Sequence, residues 1–543
     1  MSWLSRRTDR VLRAVPLALV AAACMDQGDL FGPEPVPSGG PLLRLGSASY
    51  ELHSGDRVTL RVEGLEERSG SVELLVLDPN REVVWRSARV AVADTSVQVT
   101  VTGVTETLIA ATDLVLTASL EAGGIRVYAS DDTAAAVSRD RAALRPVRFF
   151  PGEVVALDAG RPQSFTLDPE TGRVYFAARD RARIGVLDLA ENREVAGTDV
   201  PSGPVSLRFV RGRLGALIAD GTELAVFDAG AGLALRERVL LAPLRLDVQT
   251  LRVAADSAGP AEVDTLDGVV RPYARGFAWA CSESACHSPV ALAGSEVTGQ
   301  EGSALSVMRR IGTGSARVES VVVPVYQAGL LSTDTIPSRV RVFASGHGGV
   351  DSLVLDRPDR MRCATLALGG TAFDVAPAAP ATLYVAAPAG DACGDGTRLM
   401  RVNNVVADDP RLNAAAQRNL LGEDRVGEVS EVRVSPDGQF VLVRGPDRVH
   451  LFDAELRLRA TIEVAAPSAI AWVEGDGRSE HFAIASPAGV ALYDTSRRLL
   501  VARVPLGATR ENLLVVWRSG PNLLAAVGPR ESDGIVTVRL PFP

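Results

Sequence analysis

From residue 146 onward one strand ending keeps recurring: a few apolar residues closed by an aspartate. It stands as GVLD up to Asp188, AVFD to Asp228, LVLD to Asp356, LFD to Asp453 and ALYD to Asp494. Forty residues separate Asp188 from Asp228, and 41 separate Asp453 from Asp494. Weaker copies lie at VMR (Arg309), MRVN (Asn403) and TVRL (Arg539). Residues 434–464, VSPDGQFVLVRGPDRVHLFDAELRLRATIEV, break into four strands with turns between them. The turn Ser435-Pro436-Asp437-Gly438 has the proline and glycine that tight turns favour. An aspartate that ends a strand accepts hydrogen bonds from the amides of the following turn. The repeated aspartates are therefore read as turn formers, not as an acid–base pair.

A four-strand unit at this period is the mark of a β-propeller blade, which buries both faces only when blades stack in a ring. The SPDG turn, the apolar strand after it and the LFD ending resemble the YVTN and WD40-like propellers of bacterial envelope proteins. The resemblance is clear at 160–230 and 430–543, and implies a propeller over 146–543. GEVVALDAG (152–160) stands where a fourth strand belongs, and the last unit, GIVTVRLP, ends on a third strand. An N-terminal strand is thus expected to complete the last blade and leave no open edge. The markers give eight third strands, but 229–355 is irregular and one marker there fits an insertion, so seven and eight blades both stand.

Residues 42–131 read as about seven short strands. In RVTLRVEG, Val58, Leu60 and Val62 alternate with Arg57, Thr59 and Arg61, a period of two that gives one buried face. The strand count resembles an immunoglobulin-like β-sandwich, although no cysteine pair supports it. Trp85 is expected in the core. The fold class is all-β: a small sandwich, a linker at 132–145, then a propeller.

The N-terminus suggests where such a protein resides. Arg6, Arg7, Arg10 and Arg13 precede a short apolar run, Ala14 to Ala23, and then Cys24. This is a secretory signal layout, and the run is too short to span a bilayer. Small residues before a cysteine resemble the lipobox of bacterial lipoproteins, which implies a signal peptide over 1–23 and a lipid on Cys24. Ala21, where leucine is commoner, departs from that pattern, and a conventional signal peptide is the alternative. Residues 24–41, rich in proline, glycine and acid, read as a stalk. The expected localisation is an exported, lipid-anchored protein of the cell envelope.

Composition excludes several chemistries. All 57 basic residues are arginine, since the chain has no lysine, so Schiff-base lysines, Walker A loops and Ser–Lys dyads are impossible. A net charge of −9 without a basic block argues against nucleic acid. There is no Gly-x-Ser-x-Gly elbow, His-Glu-x-x-His or EF-hand loop, and the five histidines do not cluster. No catalytic residue and no metal ligand is singled out.

Four cysteines remain: Cys281, Cys286, Cys363 and Cys393. An even set in an exported chain points to disulfides, and two local loops, 281–286 and 363–393, are preferred among three pairings. CSESACH (281–287) has a rival reading, covalent haem held by Cys281 and Cys286 with His287 on the iron, at a wider spacing than the usual Cys-x-x-Cys-His. No other cofactor is expected. Function is read first as a lipid-anchored envelope scaffold that presents its propeller to a protein or glycan. An envelope propeller enzyme (hydrolase or lyase) or a haem redox protein is the alternative, so enzymatic activity stays open.

Overall fold

The computed structural model describes residues 41–542, apart from 66–68, 93–94, 132–136, 138–140, 205, 219–222, 230–231, 241–243, 253–261, 271–273, 282–285, 294–295, 298–305, 312–318, 326–336, 347–348, 357–371, 377–381, 389–396, 403–428, 476 and 530–533. Side chains of 239–371, and of several strand positions up to 402, also lie outside the description.

The first body packs two sheets face to face. β1 (Leu42–Leu45), β3 (Arg57–Glu63) and β7 (Ser96–Thr100) make one sheet, while β2 (Tyr50–Ser54) pairs elsewhere. β4 (Gly70–Leu77), β5 (Val83–Arg86), β6 (Val90–Val92), β8 (Leu114–Ala122) and β9 (Ile125–Tyr128) form the other, with one short helix, α1 (Glu106–Ala110), before β8. In β3 the expected alternation holds: Val58, Leu60 and Val62 are buried and the residues between them exposed. They meet Leu74, Val76, Leu116 and Leu120 from the facing sheet in one core. Trp85 joins that core, and its indole N–H donates to the Thr102 carbonyl at 3.0 Å.

β10 (Arg145–Val155) belongs to both bodies. Its first half pairs antiparallel with β8 and parallel with β2; its second half pairs antiparallel with the last strand of the chain. It runs across the expected boundary at 146. At this joint Gly55, with φ +90°, lies so close that an added Cβ would stand 2.3 Å from the Val154 carbonyl oxygen. Only glycine tolerates both conditions.

The second body is built of antiparallel sheets in chain order. These are β11 (Pro162–Asp168), β12 (Arg173–Ala178), β13 (Arg183–Asp188) and β14 (Arg193–Asp199); then β15 (Ser206–Val210), β16 (Arg213–Ile218), β17 (Glu223–Asp228) and β18 (Ala234–Leu240). β19 (Leu244–Arg252) and β20 (Glu262–Val270) come next, followed by β21 (Ala274–Cys281), β22 (Cys286–Ala293), β23 (Glu296–Val297), β24 (Ser306–Ile311), β25 (Glu319–Val325), β26 (Pro337–Gly346) and β27 (Gly349–Asp356). The order resumes with β28 (Ala372–Val375), β29 (Leu383–Pro388) and β30 (Thr397–Val402); β31 (Glu431–Val434), β32 (Phe440–Arg444), β33 (Arg448–Asp453) and β34 (Leu458–Glu463); β35 (Ala469–Glu474), β36 (His481–Ser486), β37 (Gly489–Asp494) and β38 (Leu500–Val504). The last strands are β39 (Thr509–Ser519), β40 (Asn522–Pro529) and β41 (Ile535–Leu540).

First strands neighbour one another in a closed circuit: β11, β15, β21, β28, β31, β35, β39 and back to β11. Among the described residues that circuit holds seven sheets. The seventh is β39-β40-β41 completed by β10, with Glu153 opposite Thr537 and Val155 opposite Ile535. The N-terminal strand therefore supplies the fourth strand, as the sequence leads one to expect. The marker ending at Asp356 falls on β27, in a separate sheet of order β23-β20-β19-β26-β27 that stands off the circuit.

Stacking explains why these strands read as continuous apolar runs. In β12, Val174, Phe176 and Ala178 enter a core shared with the seventh sheet, while Tyr175 and Ala177 enter the core shared with the second. A strand buried on both faces has no polar face to show. Gly185 completes the packing, since an added Cβ would meet the Phe176 ring at 2.1 Å.

Candidate functional site

The innermost strand of each sheet has a free hydrogen-bonding edge, and buried N–H groups there must find acceptors. Side chains of the preceding sheet supply them. Ser164 Oγ and Thr166 Oγ1 accept from the Leu207 and Phe209 amides at 3.1 and 2.9 Å. Asp374 Oδ2 accepts from the Val434 amide at 2.9 Å, and Glu431 Oε2 from the Ile470 amide at 3.1 Å. Buried Arg444 then donates to Glu431 at 3.1 Å, to the Pro467 carbonyl at 2.8 Å and to Asn512 Oδ1 at 2.8 Å, joining three consecutive sheets.

Inside the circuit lies a cavity of about 470 Å³. Arg208 comes from the middle of β15, Asp374 from β28, Arg433 from β31 and Glu474 from the end of β35. Glu170, Arg211 and Pro436, on the turns that follow β11, β15 and β31, also line it. The SPDG turn thus frames its mouth. Trp472 and Phe209 contribute to the walls, and the Trp472 indole is fixed by donating to the Arg433 carbonyl at 3.2 Å.

The charges tune one another. These groups lie deep in the ring, each half-buried on the cavity wall. Burial pushes the Glu474 carboxyl up to about 7; Arg433 and Arg208 pull against that, and Asp374 and Asp168 reinforce it. Burial lowers Arg208, and Arg433 lowers it further. Burial also weighs on Arg433, but Glu431, Asp374 and Glu474 outweigh it and raise it. Glu431 is held from both sides, by Arg433 at 2.8 Å and Arg444 at 3.1 Å. A cavity of this size, with apolar walls, a few converging charges and a strongly perturbed carboxyl, has the form of a candidate ligand site.

A larger cavity, about 630 Å³, opens at the joint between sandwich and ring. Its polar groups hold the joint together. Glu51 Oε2 accepts from the Ala508 amide at 2.9 Å, and Asp56 Oδ2 accepts from the His53 amide at 2.6 Å. His53 is lowered by burial and kept neutral, its Nδ1–H donating to the Pro151 carbonyl at 2.9 Å.

Cys24, Cys363 and Cys393 are outside the described residues. Cys281 and Cys286 end and begin the antiparallel strands β21 and β22, and the register sets them opposite each other; His287 follows on β22. Their side chains are not described. Three of the five recurring aspartates form turns: Asp188 Oδ1 accepts from the Ala190 and Glu191 amides, Asp453 Oδ1 from those of Glu455 and Arg457, and Asp494 Oδ1 from that of Arg497; Asp228 Oδ1 accepts from Arg236 instead, at 3.1 Å, and the Asp356 side chain is not described. Among the described residues no group of three or more His, Cys, Asp or Glu could hold a metal ion. The axial charges escaped the sequence reading. Their signal is a lone charge in an otherwise largely apolar first strand, as in SLRFV, AFDV and AIAWVE; EVRV carries two, Glu431 and Arg433.

No protein-family model and no curated protein sequence matches the chain. Among solved structures it is similar to the Cps50 (Swd1) β-propeller domain of Myceliophthora thermophila, at 11% identity over 70% of this chain and 97% of that one, with a TM-score of 0.42. Saccharomyces cerevisiae Sqt1 is similar at 8% identity over 72% of this chain and 100% of that one, with a TM-score of 0.37. Kuenenia stuttgartiensis hydrazine synthase follows at 13% identity over 70% and 92%, with a TM-score of 0.32.

Proposed function

We propose that this chain is an exported, lipid-anchored binding scaffold of a bacterial envelope. Cys24 carries the lipid, residues 24–41 form a stalk, and an immunoglobulin-like sandwich carries a seven-bladed propeller. The count of seven follows the circuit of first strands, with the sheet ending at Asp356 as the insertion. The propeller presents its axial mouth to a protein or glycan partner. One observation carries the binding reading: opposite charges from four sheets converge on a single axial cavity. Burying charge is costly, and these groups gather on one wall although only Asp374 and Arg433 are also tied to neighbouring residues in the contacts described above.

CSESACH is read in the same frame as a cross-strand disulfide. Opposed positions on antiparallel strands bring Cα atoms within disulfide range, and Cys281 opposes Cys286.

Three measurements test this. Intact mass of the membrane-extracted protein, before and after reduction, is expected to show a lipid on Cys24 and a 281–286 disulfide, with no haem mass or Soret band. Cys24→Ser is expected to move the protein from the membrane to the soluble fraction. A photocrosslinker at Arg211, on the mouth, is expected to capture one discrete partner in envelopes. Crosslinking no different from that of an exposed sandwich position such as Val84 would sink the scaffold reading.

A further inference from the structure

The axial cavity has a chemistry narrower than "protein or glycan". Among its described lining residues Thr166 is the one neutral polar side chain, and its hydroxyl already accepts from the Phe209 amide. The Trp472 indole N–H is likewise taken, by the Arg433 carbonyl, and the other lining side chains are charged or hydrocarbon. Guanidiniums and carboxylates can bond a sugar's hydroxyls, but a carboxylate gains more from an arginine fork than a neutral hydroxyl does. The wall offers Arg208, Arg211 and Arg433, with apolar surface from Phe209, Val434 and Trp472.

The anions are unequally committed. Glu431 is gripped by Arg433 and Arg444, and Asp374 is fixed on the Val434 amide. Glu474 stands at the end of its strand on the same cavity wall as Arg208 and Arg433, and its charge, which they favour, is the one most readily given up because burial opposes it. An arginine fork takes a carboxylate in two parallel hydrogen bonds, in a geometry no cation can exploit.

We propose that the axial cavity binds an acidic side chain of a peptide segment, its carboxylate replacing that of Glu474 against Arg208 and Arg433 and its methylenes lying along Trp472. This rests on the scaffold reading and deepens it. The exchange has a proton balance. An arriving carboxylate takes the guanidiniums from Glu474 and adds a like charge, so Glu474 takes up a proton from solvent. The groups facing it are Asp374, Arg433, Arg208 and Asp168, with Glu170 and Arg211 at the rim. Near pH 7, binding therefore absorbs a fraction of a proton, and affinity falls as pH rises above about 7.

The test is calorimetry of the mature protein with end-blocked Gly-Glu-Glu-Gly, its Gly-Gln-Gln-Gly counterpart and trigalacturonate, in phosphate and in Tris, with Trp fluorescence as a second readout. The glutamate peptide is expected to bind at least about tenfold tighter than the glutamine peptide. Its heat should differ between buffers by the proton taken up. Arg208→Gln is expected to weaken binding about tenfold or more, and Glu474→Gln to keep binding but lose its pH dependence and proton uptake. Equal binding of the two peptides, tighter binding of trigalacturonate, or no binding at all overturns the proposal. The peptide pair decides on the unmodified protein, even where a variant fails to fold. A partner still crosslinked at Arg211 after such a failure would leave the scaffold reading standing, so the two failures are distinguishable.

Discussion

Glu474 shows how one residue can work against the fold that holds it. A carboxyl whose pKa rises from 4.5 to about 7 on folding is neutral in both states below pH 4.5. Between those values the folded state holds a proton the unfolded chain has released, and above about 7 it bears the full cost of the charge. Stability from this group therefore declines as pH rises from 4.5 to 7. Water reaches the tip of the side chain, which trims the effect. Glu474→Gln is expected to stabilise the protein by roughly 2 kcal/mol at pH 8 and by almost nothing at pH 4.5. Urea melts of both proteins at the two pH values check this, and equal differences would contradict it. None of this was legible in the sequence. A lone charge in SLRFV or AIAWVE reads as an interruption of a strand, and chain positions do not say which strands meet around an axis.

At the scale of elements, neighbouring sheets are tied by a recurring device. Tyr175 on β12 donates its hydroxyl to the Ala229 carbonyl, just beyond Asp228, and Tyr384 on β29 donates to the Ala454 carbonyl, just beyond Asp453, each at 3.0 Å. Burial pushes the Tyr175 hydroxyl up to about 12 and raises that of Tyr384 as well. Each bond joins the second strand of one sheet to the third strand of the next. Tyr175→Phe and Tyr384→Phe are each expected to cost about 1 kcal/mol, because a buried carbonyl loses its donor. The sites are far apart in the ring, so the losses should add to about 2 kcal/mol in the double variant, measured by denaturant melting. A double variant no worse than either single one would contradict independent ties. Strand endings were legible because turn chemistry is local: an aspartate that caps a turn looks the same wherever it stands. For that same reason LVLD at Asp356 could not be told from its copies, although β27 lies in a sheet off the ring. The local pattern encodes the turn and says nothing about the neighbours of the strand.

At the scale of the molecule, two bodies share β10, and that sharing was only half visible. GEVVALDAG advertised a strand missing its own hairpin. Nothing in RPVRFF advertised that the same strand also pairs with β8 and β2, because an edge shared between bodies is a matter of register, not of composition. The consequence is one of order in time. The ring is shut by contacts between Glu153 and Thr537, which lie 384 residues apart along the chain. Non-local pairings of that span form late. A chain that emerges from its N-terminus first can build the sandwich early, and β8 then holds β10 in place with its other half waiting. Every later sheet assembles beside an open seam, and the seam heals only when β41 arrives.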